Sequence, residues 1–321
     1  MLYRFLKILV SVAIKIFCRK IIINQRAFLK EKGPLLLASN HPNSFLDSVI
    51  LDTLFDQPIW SLARGDVFKN KFITRLLTAV KILPVYRTSE GVENLSENYK
   101  TFDACIDHFK KNAVVMIFSE GKCINEWHLR KLKKGTARLA FKTWQENIPL
   151  KVLPVGINYS SFRRFGKNVF INFGDIISKE DLDLTGAEGL RHQSFNNKLQ
   201  QQLEKLVLEI PKTDKQTQEK LLELKPGLFK KIILSVPAAI GWIIHAPLYL
   251  PVRRFTLTRT YNNDHYDSIM TAILLFTYPV YLLILSLLLF LLIKSWYVFL
   301  LLLVLPFTAW SYVQLKPQLD K

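Results

Sequence analysis

An α/β fold with a mixed sheet flanked by helices, followed by a C-terminal transmembrane helical hairpin, is what this sequence predicts. Two observations predict it. Between about residues 33 and 175, short apolar runs alternate with amphipathic stretches, the order expected of strands and helices in a layered sheet domain. From Ser268 to Leu315 the only charged side chain is Lys294.

In chain order, Arg4, Lys7, Ser11 and Lys15 recur at steps of three and four. They form one stripe of a helix, with Leu2, Phe5, Leu6, Leu9, Ala13, Ile16 and Phe17 mostly elsewhere. Residues 1–30 are therefore expected to be an amphipathic helix, lying in the headgroup region or packed on the domain. Lys15 interrupts the apolar run and no small-residue cleavage site follows, which argues against a signal peptide.

Residues 31–210 form the predicted catalytic domain. Its candidate strands are Leu35–Ser39, Pro58–Ala63, Ile82–Tyr86, Val114–Phe118, Val152–Tyr159 and Val169–Phe173. Its candidate helices are Phe45–Phe55, Lys71–Val80, Val92–Lys110 and Lys134–Gln145, with a further amphipathic helix over 187–210. Residues 211–230 read as a linker or a solvated helix.

Residues 231–321 read as a membrane domain. Ser268–Ile293 is 26 residues without a charge and Ser295–Leu315 is 21 more. One helix of that combined length would reach about 70 Å against a hydrocarbon core of about 30 Å, so the chain must turn near Lys294. Pro279 and Pro306 are candidate kinks. Ile232–Val252 is basic at both ends, with Lys230 and Lys231 before it and Arg253 and Arg254 after. Keeping both ends on the cytoplasmic side favours a re-entrant or interfacial segment over a third span.

The net charge of +18 points to nucleic acid, anionic membrane or acidic substrates. The uneven spread of hydrophobic residues favours membrane, and no zinc-finger spacing, basic recognition helix or aromatic RNA-binding strand pair is present. Cys18, Cys105 and Cys123 are odd in number and far apart, which excludes a disulfide framework and suits a reducing cytoplasmic face. The histidines have no metal-ligand spacing, and there is neither a GxGxxG nor a P-loop.

Four short blocks sit at the edges of predicted strands, where loops converge on a site. They are Asn40-His41-Pro42-Asn43-Ser44-Phe45-Leu46-Asp47, Leu83-Pro84-Val85-Tyr86-Arg87, Phe118-Ser119-Glu120-Gly121-Lys122 and Val152-Leu153-Pro154-Val155-Gly156-Ile157. A histidine takes a proton near neutral pH, and a nearby carboxylate orients it. Each block also has a plain reading. Ser44 and Asp47 fit a helix capping box, Arg87 a surface charge, Glu120-Gly121 a turn, and Pro154 with Gly156 an irregular strand.

As an ordered set, the four blocks resemble the glycerol-phosphate and lysophospholipid acyltransferase superfamily, whose members carry Asn-His-x4-Asp, an arginine block, Phe-Pro-Glu-Gly-Thr and a Val-Pro-Val block. The resemblance covers residues 33–175. It implies that His41 is the general base and Asp47 its orienter, with no covalent acyl-enzyme. It implies that Arg87 binds the acceptor phosphate, that Glu120 and Gly121 line the acceptor site, and that Lys122 adds a phosphate contact. The implied partners are glycerol-3-phosphate or a lysophospholipid as acceptor, acyl-CoA or acyl-carrier protein as donor, and membrane lipids. No bound cofactor, metal or nucleic acid is expected. Two departures stand out: five residues rather than four separate His41 from Asp47, and Ser119 replaces the usual proline. Longer His–Asp spacing occurs among fungal glycerol-3-phosphate acyltransferases, as does a fourth block running on through Asn-Tyr to Phe-Gly, here Asn158-Tyr159 and Phe173-Gly174. The expectation is an integral membrane O-acyltransferase with its catalytic domain on the cytoplasmic side. An N-acyltransferase making amino-acid-containing lipids and a non-catalytic lipid-binding protein are the alternatives.

Overall fold

The computed structural model describes residues 2–86, 97–183 and 185–320. Among them, β1 (Cys18–Ile23), β2 (Leu35–Ser39), β3 (Ile59–Arg64), β4 (Ile82–Val85), β5 (Val114–Phe118), β6 (Lys151–Tyr159) and β7 (Lys167–Phe173) form one sheet, ordered β1-β7-β6-β2-β5-β3-β4. β6 and β7 pair antiparallel and all other neighbours pair parallel. β2 is central. Leu35 and Leu37 face one layer, with α1 (Leu2–Phe17) and α2 (Phe45–Leu54). Leu36 and Ala38 face the other, with α4 (Glu97–Lys110), α5 (Gly135–Gln145) and α6 (Glu188–Glu204). A strand covered on both faces has no polar side, which is why 35–38 is an unbroken apolar run. α3 (Lys71–Ala79) lies between β3 and β4 in the chain and is capped by the Asn70 side chain.

The N-terminus differs from the single helix expected over 1–30. α1 ends at Phe17, whose carbonyl accepts from the Gly166 N–H, and the chain then pairs parallel with β7 as β1. The β-branched run Ile21-Ile22-Ile23 favours the pleated surface over a helix. Two polar residues of α1 face the domain: Lys7 Nζ donates to Phe55 O at 2.8 Å and Tyr3 Oη to Asp52 at 2.8 Å, while Arg4 and Lys15 are exposed. Phe5, Ile8 and Val12 point outward, exposed. The 187–210 segment stops as helix at Glu204, because Ile210 bridges to Trp127 instead. Within 211–230, α7 spans Lys215–Leu222 and is capped by Asp214. The Val92–Lys110 prediction is helical from Glu97, and its first residues lie outside the described ones.

Three helices follow: α8 (Leu228–Arg259), α9 (Tyr266–Ile293) and α10 (Leu301–Leu315). With the 3-10 turn at Trp296–Leu300 counted into the last, each is long and apolar enough to cross a membrane by length and composition. The chain reverses at Lys294, which takes a left-handed conformation at φ 54. α10 returns to the domain, where Gln314 Nε2 donates to Arg19 O at 3.1 Å and Asp320 accepts from Ser161 Oγ at 2.7 Å. α8 is held to the same region at both ends. Lys230 reaches Gln314 at 2.6 Å, and Arg163 donates to the carbonyls of Thr260 and Tyr261 at 3.4 Å. Pro237, Pro247 and Pro251 lie inside α8, each removing a backbone donor.

At Gly241 the backbones of α8 and α10 approach closely. A Cβ there would lie 2.2 Å from the Thr308 carbonyl oxygen, the close packing that small residues permit between apolar helices. Gly241→Ala is expected to destabilise the protein by about 1–3 kcal/mol through overpacking, read as a lower melting temperature in detergent. Gly189→Ala in α6, where nothing lies within 4 Å, is the control expected to show no loss.

Candidate active site

The carboxyl ends of β2, β5 and β6 converge on one spot. Asn40, directly after β2, ties two strands together: its side chain donates to Ile157 O at 3.0 Å and accepts from Ile157 N at 2.8 Å. His41 follows, and its Nδ1 lies 2.9 Å from Asp47 Oδ2 in the first turn of α2. A carboxylate at Nδ1 holds the proton there and leaves Nε2 as the acceptor of a neutral imidazole. Nε2 has no partner among the described residues, and 14% of the His41 side chain is exposed. The ring stacks on Phe118 at the end of β5, with centroids 3.7 Å apart.

Asp47 is fully buried and accepts three hydrogen bonds. Besides His41, the Asn43 N–H reaches Oδ2 at 2.8 Å and the Tyr159 hydroxyl reaches Oδ1 at 2.7 Å. Burial first, and then the Asp47 charge, push the Tyr159 phenol well above its ordinary range, so it stays a donor.

Glu120 is the second buried carboxylate. Its Oε2 accepts from the His41 N–H at 2.7 Å, and its Oε1 from the Arg130 N–H at 2.9 Å. The Arg130 guanidinium closes on it at 3.0 Å and also reaches the Lys122 carbonyl at 2.5 Å. Glu120 therefore anchors the His41 backbone. Gly121 takes φ +70, a conformation that suits glycine, with the Lys133 side chain 3.1 Å from where a Cβ would sit. Lys122 is exposed. Arg87 lies outside the described residues. Gly156 leaves room for the backbone at Leu206, 2.6 Å from a Cβ position.

In the turn between His41 and Asp47, Ser44 takes φ 53 and ψ −136. The expected capping box is not formed. The Ser44 side chain makes no cap bond and pairs instead with His265 Nδ1 at 2.7 Å, while its N–H points to Cys123 Sγ at 2.9 Å. Asp47 reaches back to Asn43 N rather than Ser44 N, because its carboxylate is committed to His41 and Tyr159. Burial, and then the nearby Asp47 charge, raise the Cys123 thiol pKa, so it stays protonated and is a poor nucleophile.

Residues 20–158 match the family model described as Acyltransferase. Over these residues the chain is similar to the acyltransferase family. The matched segment takes in His41, Asp47, Glu120, Gly121 and Lys122, and ends one residue before Tyr159. Among solved structures, the chain is similar to the 1-acyl-sn-glycerophosphate (LPA) acyltransferase PlsC from Thermotoga maritima, at 13% identity and TM-score 0.41, over 58% of this chain and 70% of that one. No curated protein matches it.

At the site, Arg130, Tyr159, Asn40 and Asn43 make contacts that the sequence pattern does not assign. Asn158-Tyr159 had been noticed only as part of a longer block. Beside the domain, an apolar cavity of about 270 Å³ opens between α1, α8, α9 and α10, lined among others by Ala13, Phe17, Tyr249, Leu274, Leu275 and Ala309.

Two outcomes test this geometry. Tyr159→Phe leaves one buried Asp47 oxygen without its donor and is expected to cost about 1.5–3 kcal/mol in a denaturation series at neutral pH. Ser44→Gly is expected to keep wild-type stability. Ser44→Val, a β-branched side chain forced to positive φ, is expected to lose about 1–3 kcal/mol in the same series.

Proposed function

We propose that the protein transfers a fatty acyl chain from an acyl thioester to the hydroxyl of glycerol-3-phosphate or a lysophospholipid. The observation that carries this reading is the His41–Asp47 pair at 2.9 Å with Nε2 unpartnered, at the carboxyl edge of the sheet and beside the start of α9. His41 Nε2 takes the acceptor hydroxyl proton as the oxygen attacks the thioester carbonyl. The C–S bond breaks as the resulting tetrahedral intermediate collapses, and the imidazolium returns the proton to the departing thiolate. Asp47 holds the ring and stabilises its cationic form, as in triad chemistry, without taking the proton.

In this reading Arg87 meets the acceptor phosphate by forked hydrogen bonding, and Lys122 adds a second cation at the same mouth. Glu120 and Gly121 shape that mouth, Glu120 by holding the His41 backbone. The donor is acyl-CoA or acyl-carrier protein, and the apolar cavity beside α9 receives an acyl chain.

The α9–α10 hairpin is read as spanning the bilayer, with exposed Trp296 and Tyr297 at its far tip in the place of interfacial aromatics. α8, with both ends at the domain and Lys230, Lys231, Arg253 and Arg254 flanking it, is read as re-entrant or interfacial. The excess of lysine and arginine on that side favours a cytoplasmic catalytic domain.

The deciding assay offers glycerol-3-phosphate and 1-acylglycerol-3-phosphate side by side to the purified full chain, with acyl-CoA and acyl-carrier protein in separate arms. Transfer to one of the two acceptors is expected, and His41→Ala is expected to lower kcat by about 10²–10⁴-fold. Transfer only to amine acceptors would move the reading to N-acylation. Unchanged activity in His41→Ala would overturn the mechanism.

A further inference from the structure

The turn carrying His41 is gripped by the residues that begin α9. Asp267, in the first turn of that helix, is fully buried and paired with the equally buried Lys167 of β7. Asp267 also accepts from the Asn43 side chain. Asn43 is the residue whose backbone N–H holds Asp47. Next to it, Ser44 is bonded through its hydroxyl to His265 and through its N–H to Cys123, whose thiol faces the Asp264 carbonyl at 3.9 Å. Lys167 in turn lies over the rings of Phe17 and Tyr159, at 5.8 Å and 5.9 Å from their centroids. The Asp267–Lys167 pair thus touches two of the groups that organise the catalytic carboxylate: Asn43 by a hydrogen bond and Tyr159 by ring packing.

Anchoring a helix does not require such a pair. Replacing a buried ion pair by apolar residues of similar volume is commonly neutral or stabilising. What apolar residues cannot do is accept the Asn43 hydrogen and so set the turn. That turn also needs holding, because Ser44 sits at positive φ, a conformation that persists only where surrounding contacts determine it.

We propose that Asp267 is a positioning residue for the His41–Asp47 pair. Through Asn43 it fixes the turn from which Asp47 aims the imidazole, so the start of the membrane hairpin is a working part of the active site. This rests on the reading of His41 as base and Asp47 as orienter.

The test compares two charge-neutral double variants of the full chain. Asp267→Asn with Lys167→Met keeps an acceptor for Asn43. Asp267→Leu with Lys167→Met removes it. The first is expected to stay within about 3-fold of wild-type kcat. The second is expected to lose about 10- to 100-fold in kcat with little change in KM, the scale of a misplacement of about 1 Å. A second readout needs no substrate: the downfield proton resonance of an imidazole Nδ1–H held by a carboxylate, assigned by its loss in His41→Ala. It is expected in wild type and the first variant, and displaced or broadened in the second. Equal kcat and an unmoved resonance in both variants would overturn the proposal. If neither folds, Asn43→Ala decides, since it leaves the ion pair whole: the same loss supports the proposal, and wild-type behaviour overturns it. If the wild type transfers no acyl chain to any acceptor, the function reading fails and the resonance alone decides positioning.

Discussion

Asp47 is a carboxylate with no access to water. Burying such a charge costs several kcal/mol unless donors meet its oxygens. Here the donors come from three places: the imidazole of His41, the backbone of Asn43 and the hydroxyl of Tyr159. To bring them together, the end of β6, the turn after β2 and the first turn of α2 must occupy one volume. The arrangement of this edge of the sheet follows from satisfying that one side chain. It also decides the chemistry, since committing Nδ1 inward leaves Nε2 facing outward.

Glu120 solves the complementary problem. On the proposed reading of His41 as general base, its backbone must be as fixed as its ring, because a small displacement changes the distance to the proton it takes. Glu120 holds the His41 N–H while Arg130 neutralises the charge that this buries. Ring and backbone of His41 are therefore held by two different carboxylates on different elements. Each is satisfied without the other, so the ring and the backbone are fixed independently.

The sheet was legible where burial was two-sided. β2 and β5 fall where the sequence placed them, because a strand covered on both faces must be apolar at every position, and polar residues such as Asn40 mark its end. β1 escapes the sequence reading because its short β-branched run, Ile21-Ile22-Ile23, follows a helical pattern directly, and its pairing partner β7 lies far along the chain. His41 and Asp47 were legible as neighbours in the chain. Tyr159, Arg130 and Lys167 were not, because their meaning lies in partners far away in sequence. Asp267 carries no signal of its own in the sequence, and nothing in a one-dimensional pattern ties it to a lysine 100 positions earlier.

The polarity of α1 and α8 supports the proposed place of the site beside a lipid surface. α1 turns its bonded polar residues inward, with Lys7 on α2, and presents Phe5, Ile8 and Val12 outward. α8 likewise shows Phe229, Ile232, Ile233, Val236, Ile240 and Ile243, spaced as one helical stripe. In water, apolar surface of this extent is an association hazard. Against lipid it is simply solvated. Exposed Lys15, Lys20, Lys231, Arg253 and Arg254 supply the positive charge that anionic headgroups attract. α8 is bonded to Gln314 of α10 near its start and to Arg163 of the domain just past its end, and α9 begins beside the turn carrying His41, so the position of the site is tied to these surfaces. On the proposed function, the reacting hydroxyl of an acceptor with a charged head would meet His41 near the headgroup level, with its apolar chains toward the helices.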